Sequence, residues 1–163
     1  MSRAARAWVY GDDLNTDLLA PAVHLKGSMD ELARHCLEDL DKDFASSVSE
    51  GDVFVAGENL GIGSSREQAP HALQILGIRT LLAKSYGRIF YRNALNLGLP
   101  TLVCPDTHRI RNGDKLRVDA AAGVVENLTT GEQLTCESLP DHLLEMVNDG
   151  GLIPHLKKKL GSL

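Results

Sequence analysis

Short apolar runs recur along this chain, each closed by glycine, proline or aspartate, with stretches of helical spacing between them. Residues 5–10 (ARAWVY) read as a strand that stops at Gly11-Asp12-Asp13. Asn15-Thr16-Asp17 prolongs the polar loop, and residues 18–20 lead into Pro21. Ser28 is placed to cap a helix over residues 29–40, with Glu31 at capping-box spacing and Leu32, Cys36 and Leu40 on one face. Residues 43–49 form a polar loop with Phe44 as its apolar plug. Residues 52–56 (DVFVA) are a strand between Gly51 and Gly57. A glycine-rich stretch, a helix over residues 65–76 ended by Gly77, and a buried strand over residues 79–83 follow. A helix over residues 85–96 ends near Gly98, with a strand over residues 100–104 behind it. Residues 115–118, 123–127 and 132–136 are short strands joined by turns at Gly113-Asp114 and Thr130-Gly131. Helices over residues 140–148 and 152–159 close the chain, and Lys157-Lys158-Lys159 reads as a solvated helix end.

Strands and helices alternate through the first two thirds, then strands cluster. That order predicts an α/β fold with a partly parallel central sheet. A length of 163 residues, with no internal repeat or low-complexity linker, favours one domain with a sizeable core. The net charge of −5 argues against nucleic acid as a partner, since such binders carry a basic face. Residues 1–8 contain arginines but no apolar segment of the secretory kind, and no run approaches a membrane span. The three cysteines, Cys36, Cys104 and Cys136, are far apart and form no CxxC pair. They read as buried or half-buried reduced thiols, which suits the cytoplasm, and no metal or cofactor is expected on this chain. His24, His35, His71, His108, His142 and His155 show no metal-ligand spacing.

The densest chemistry is Gly61-Ile62-Gly63-Ser64-Ser65-Arg66-Glu67, between a predicted strand and a predicted helix. Glycines let backbone turn tightly and approach a ligand. Ser64 with Glu67, or Ser65 with Gln68, matches the capping box, and Pro70 makes the first turn irregular. Free N–H groups at a helix start attract anions, and Arg66 adds a bidentate donor for a carboxylate. A capped helix with Arg66 at the surface explains the same residues, so local physics leaves both readings open. The loop lacks the glycine spacing and the Gly-Lys pair of nucleotide-binding loops.

Four ordered motifs carry a resemblance. Residues 57–67 (GENLGIGSSRE) resemble the hallmark of the aconitase superfamily's swivelling domain. Residues 11–17 (GDDLNTD) are similar to its Asn-Thr-Asp loop. Residues 83–93 (AKSYGRIFYRN) and 96–100 (NLGLP) are similar to its later segments, so the match spans nearly the whole chain as a single domain, 1–163. The resemblance implies a three-layer β/β/α fold and the small subunit of a heteromeric hydro-lyase. The activity implied is isomerisation of 3-isopropylmalate and 2-isopropylmalate in leucine biosynthesis. The partner implied is a large subunit whose three cysteines hold a [4Fe–4S] cluster.

By the same resemblance Ser64 is the base that takes a proton from the substrate carbon as its alkoxide, whose charge the following helix start and Arg66 are placed to stabilise, and Asp17 helps to organise the site. Alone, Asp17 reads as a turn residue. Ser65 and Arg66 hold substrate carboxylates. His24, Leu25 and Lys26 fall in the specificity loop, where His24 replaces a common Tyr; Ile62 replaces a frequent Cys. An apolar loop suits an isopropyl group, and a cation suits a third carboxylate as in homoaconitate. Citraconate and dimethylmalate are further rivals, all small hydroxy acids or their dehydrated forms. A reading of another class is a non-catalytic anion-binding regulatory module. Self-pairing of the isolated chain through the surface meant for the large one stays open, as does the role of Arg88 and Arg92, which either pair with an acid across the domain, the favoured reading, or face the partner.

Overall fold

The computed structural model describes residues 4–161; the start of the N-terminal segment and the last two positions of the expected domain lie outside them. Seven strands form one sheet in the order β4-β3-β2-β1-β5-β6-β7. β1 (Ala5–Val9), β2 (Val53–Val55), β3 (Thr80–Ala83) and β4 (Thr101–Val103) run parallel. β5 (Lys115–Asp119), β6 (Val124–Asn127) and β7 (Gln133–Thr135) continue antiparallel from β1. The two halves differ in sequence for a physical reason. β2 is buried at every position because both faces are covered, whereas β5 and β6 alternate buried with less buried residues because one face meets water. The sheet curls until its edges meet: the Glu137 N–H beyond β7 donates to the Val103 carbonyl of β4 at 2.9 Å.

Period-two alternation sends side chains into two cores. Trp8, Phe54 and Leu81 point to the helix-covered side with Leu32, Phe44 and Leu73. Val53, Val55, Leu82 and Leu102 point inside the curl with Val118, Val125 and Leu134. The Phe44 ring is fully buried edge-on to Trp8, with centroids 5.3 Å apart, so it is the plug its position predicted. Buried Asp52 closes this end of the sheet by accepting from Trp8 Nε1 at 3.0 Å and Ser49 N–H at 2.9 Å.

Several helices differ from expectation. Ser28 does cap α2 (Met29–Arg34), accepting from Glu31 N–H at 3.1 Å. The helix stops well before residue 40 because Leu37 turns left-handed and donates its N–H to Leu18 O at 2.9 Å. The loop expected around residue 16 holds a single helical turn, α1 (Thr16–Leu19), capped by Asn15 Oδ1. A second short turn, α3 (Phe44–Ser47), carries the plug. α4 (Gln68–Leu76) starts later than predicted, which places Pro70 in the first turn where its missing N–H costs no intrahelical bond. Neither Ser64 nor Ser65 caps it; that position is Glu67. α5 (Arg88–Asn96), α6 (Asp141–Asn148) and α7 (Leu152–Gly161) follow in order. No helix among the described residues is long and apolar enough to cross a membrane.

All three cysteines are buried, Cys36 on the helix side and Cys104 with Cys136 inside the curl. Burial pushes the Cys36 thiol far up. The Cys104–Cys136 hydrogen bond holds Cys104 below the ordinary thiol range and raises its partner. Alkylation requires access to the sulfur, and all three are buried, so native protein should take up iodoacetamide far more slowly than denaturant-unfolded protein at each cysteine, Cys104 included despite its lowered pKa. Peptide mapping of the alkylated protein checks this, and equal rates at any of the three would contradict the packing.

Candidate active site

The carboxyl ends of parallel strands are where open α/β sheets assemble sites, and three loops converge there. They follow β1, β2 and β3, and backbone bonds lace them together. Gly61 N–H donates to Leu14 O at 2.7 Å and Thr16 N–H to Ile62 O at 2.9 Å, joining the first loop to the second. Leu60 N–H reaches Ser85 O at 3.0 Å and Gly87 N–H reaches Leu60 O at 2.8 Å, joining the second to the third. Side chains reinforce the lacing. Asp12 accepts from Glu58 N–H at 2.7 Å, Asn59 Nδ2 donates to Asp13 at 2.8 Å, and Ser85 Oγ donates to Glu58 at 2.8 Å. Most polar residues of the GENLG stretch thus hold the loop rather than a ligand.

Gly61 sets how close the loop lies. Its φ is +83°, and a Cβ there would fall 2.1 Å from Cγ of the buried Phe90 ring on α5. Beyond this contact the chain rises to Ser64, which is exposed beside α1. Ser64 N–H donates to Thr16 Oγ1 at 3.1 Å, and the two hydroxyl oxygens are 3.0 Å apart. Thr16 itself is only 2% exposed. Ser64 lies upstream of the first residue of α4 and so does not sit on that helix's terminus as expected; its polar neighbour is the hydroxyl of Thr16, the first residue of α1.

Arg66 Nη1 donates to Asp17 Oδ1 at 2.9 Å and to Ala20 O at 3.2 Å. The same carboxylate oxygen accepts from Ala22 N–H at 3.1 Å. The Arg66 guanidinium, then the Ala22 N–H, hold the Asp17 carboxyl below its usual range. Asp17 is well exposed, so water screens this pair and its main effect is geometric. With the folded value depressed, the clasp contributes above the unfolded carboxyl's range and is lost as pH falls through the folded value. An NMR titration of the Asp17 carboxyl should therefore find a lower midpoint in the native chain than in Arg66→Gln; coincident midpoints would refute the clasp.

Ser64, Asp17 and Arg66 are thus brought together, and Ser65 is exposed beside them with its carbonyl accepting from Asn93 Nδ2 at 3.4 Å. His24, Leu25 and Lys26 lie on the adjoining turn, tethered through the Ala22 bond to Asp17. The His24 imidazole is turned onto Glu38 (Nε2 to Oε1, 3.2 Å) and stacks on His35 with centroids 3.6 Å apart. His35 Nδ1 meets the other Glu38 oxygen at 2.6 Å, and these two imidazoles, His35 first, lower the Glu38 carboxyl. The stacked rings are parallel, so both cannot direct a nitrogen in plane at one ion. Leu25 is half-buried against the helix-side core, whereas Lys26 is exposed. Arg88 and Arg92 are exposed on α5 and form no ion pair among the described residues, contrary to their reading as structural partners.

Thr16, which the fold sets against Ser64, was not singled out from the sequence. Its signal, a hydroxyl beside Asp17, is indistinguishable in sequence from a turn threonine until the loops are brought together.

The aconitase C-terminal domain family aligns with residues 31–107, the stretch that holds β2, β3, β4 and the Ser64 loop. A crystal structure of 3-isopropylmalate dehydratase from Methanocaldococcus jannaschii superimposes with a TM-score of 0.92 at 40% identity, covering 96% of this chain and 94% of that one. A 3-isopropylmalate dehydratase small subunit of Archaeoglobus fulgidus is 47% identical over 97% of this chain and 96% of its own length. One from Thermotoga maritima is 45% identical over 94% of this chain and 93% of its own. The chain belongs to the family of 3-isopropylmalate dehydratase small subunits, and the α/β fold expected from sequence is the family's own.

Proposed function

We propose that this chain forms, as a single swivelling domain, half of the active site of a cytoplasmic hydro-lyase. The enzyme interconverts 3-isopropylmalate and 2-isopropylmalate by removing and re-adding water. The observation that carries the reading is the open constellation of Ser64 beside Thr16 and Arg66 beside Asp17, together with near-full-length likeness to relatives bearing that name.

Ser64 Oγ, as its alkoxide, takes the proton from one substrate carbon while hydroxide leaves the neighbouring carbon. A double bond forms, and re-addition of water with the positions exchanged gives the isomer. Ser65 and Arg66 hold a substrate carboxylate, with Arg66 aimed by Asp17 and Ala20 O. A serine hydroxyl is a weak base in water, so this role demands stabilisation of its anion.

A large subunit supplies the other half, including the cluster its superfamily uses to polarise the substrate. The cysteines of this chain do not fit as cluster ligands: they are buried in two separate cores, away from the Ser64 loop. The turn at residues 22–27 reads the substrate's third substituent. Val23 is 83% exposed and Leu25 half-buried, which favours an isopropyl group, and the Lys26 ammonium is what a third carboxylate would need.

The test is anaerobic co-expression with the large subunit from the same source, assayed on 3-isopropylmalate and homoaconitate side by side. Preference for 3-isopropylmalate supports the proposal. Preference for homoaconitate replaces the substrate and keeps the chemistry. A stable complex with an intact cluster and no turnover of either acid would favour a regulatory anion-binding module.

A further inference from the structure

We infer that Thr16 is a positioning residue for the reaction: its buried hydroxyl donates to Ser64 Oγ and holds that oxygen as an anion. The inference rests on Ser64 being the base. The direction of the hydrogen bond follows from counting. A hydroxyl has one proton and two lone pairs. Ser64 N–H already donates to Thr16 Oγ1 at 3.1 Å, occupying one lone pair. The Thr16 proton must then find an acceptor, because the residue is 2% exposed and a buried unsatisfied donor is costly. Among the described residues Ser64 Oγ, at 3.0 Å, is the acceptor on hand. Ser64 therefore receives a proton from Thr16, and its own proton is left free to depart.

This arrangement favours the anion over the neutral hydroxyl. A hydrogen bond to an ionised oxygen is shorter and about twice as strong as one between neutral groups. The donor is also fixed in advance. Thr16 N–H is tied to Ile62 O at 2.9 Å, a β-bridge pairs Asn15 with Ile62, and Asn15 caps α1. Gly63 completes the fit, since a Cβ there would lie 3.2 Å from Thr16 Oγ1 and the φ of +110° suits glycine. The hydroxyl thus takes the part that the N-terminus of α4 was expected to play. α4 begins only at Gln68, after Ser64 and Ser65.

The experiment measures kcat, KM and the pH dependence of kcat for the assembled enzyme with 3-isopropylmalate. The variants are Thr16→Ser, Thr16→Cys and Thr16→Val, with Ser64→Ala as reference. Thr16→Val should lower kcat about 10²-fold, the loss typical of one oxyanion donor, with KM little changed. The kcat limb that rises with pH should move upward, because the serine anion forms less readily without its donor. Thr16→Ser should restore the wild-type profile, and Thr16→Cys, a weaker donor, should fall between. Wild-type kcat in Thr16→Val overturns the inference. So does a loss of kcat with an unshifted pH profile, which marks a merely structural role. Should Thr16→Val fail to assemble, the comparison of Cys with Ser decides, and equal kcat and pH profiles overturn it. A fully active Ser64→Ala would remove the base reading itself, whereas an inactive Ser64→Ala beside an unaffected Thr16→Val would remove only the role of Thr16.

Discussion

Ser64→Ala in the assembled enzyme should lower kcat by about 10²–10⁴-fold, the contribution typical of a positioned base, while assembly and KM stay near wild type. The structure makes this a clean substitution. Ser64 is exposed, so no cavity forms. Its backbone N–H still donates to Thr16 Oγ1 at 3.1 Å, so the loop keeps its anchor. What is removed is one oxygen, the acceptor of the buried Thr16 hydroxyl, at a stability cost of about 1–3 kcal/mol. Steady-state kinetics and a thermal melt of the complex check both halves. Undiminished turnover would place the base in the large subunit and leave this chain the carboxylate contacts alone.

The largest effect on stability is expected at Gly61. Gly61→Ala introduces a Cβ 2.1 Å from Phe90 Cγ and forces a side chain onto a φ of +83°. Overpacking and left-handed strain together should cost about 3 kcal/mol. For a domain of this size that lowers Tm by roughly 10 °C. Phe90 is buried and α5 cannot yield without disturbing the helix-side core. Activity should fall as well, since Gly61 N–H to Leu14 O is one of the bonds that carries the loop toward α1. Gly11→Ala is the matched control: no atom lies within 4 Å of its Cβ position and its φ is not left-handed, so its Tm should hardly move. Equal melts for the two variants would show that the Phe90 contact does not govern the loop.

What could be read from sequence was local. β2 and β3 were legible to within a residue or so because short apolar runs between glycines have few other uses. The Ser28 cap was legible because capping is a contact across three residues. The end of α2 was not, because Leu37 turns to reach Leu18 O, a bond that exists only after tertiary folding. The central place of β1, between a parallel and an antiparallel half, rests on pairings between distant segments and left no mark in the run of residues 5–10. At the candidate site, the motif pointed to Ser64 and Arg66, and the fold sets them beside Thr16 and Asp17. The serine pair's capping role was misread, since two overlapping capping boxes outweighed Pro70. Thr16 stayed hidden because the partner that gives it meaning lies across two loops.

With the turn at residues 22–27 read, as proposed, as the element that selects the substrate, His24 and Glu38 bear on how that choice could be re-engineered. The turn carrying Val23, Leu25 and Lys26 is not a self-contained cassette: its far end is moored to Glu38 and His35, outside the turn itself. A chimera that transplants only residues 22–27 from a relative with another substrate would arrive without its mooring. The graft that keeps its shape must travel as a discontinuous unit, with positions 35 and 38 exchanged in the same step.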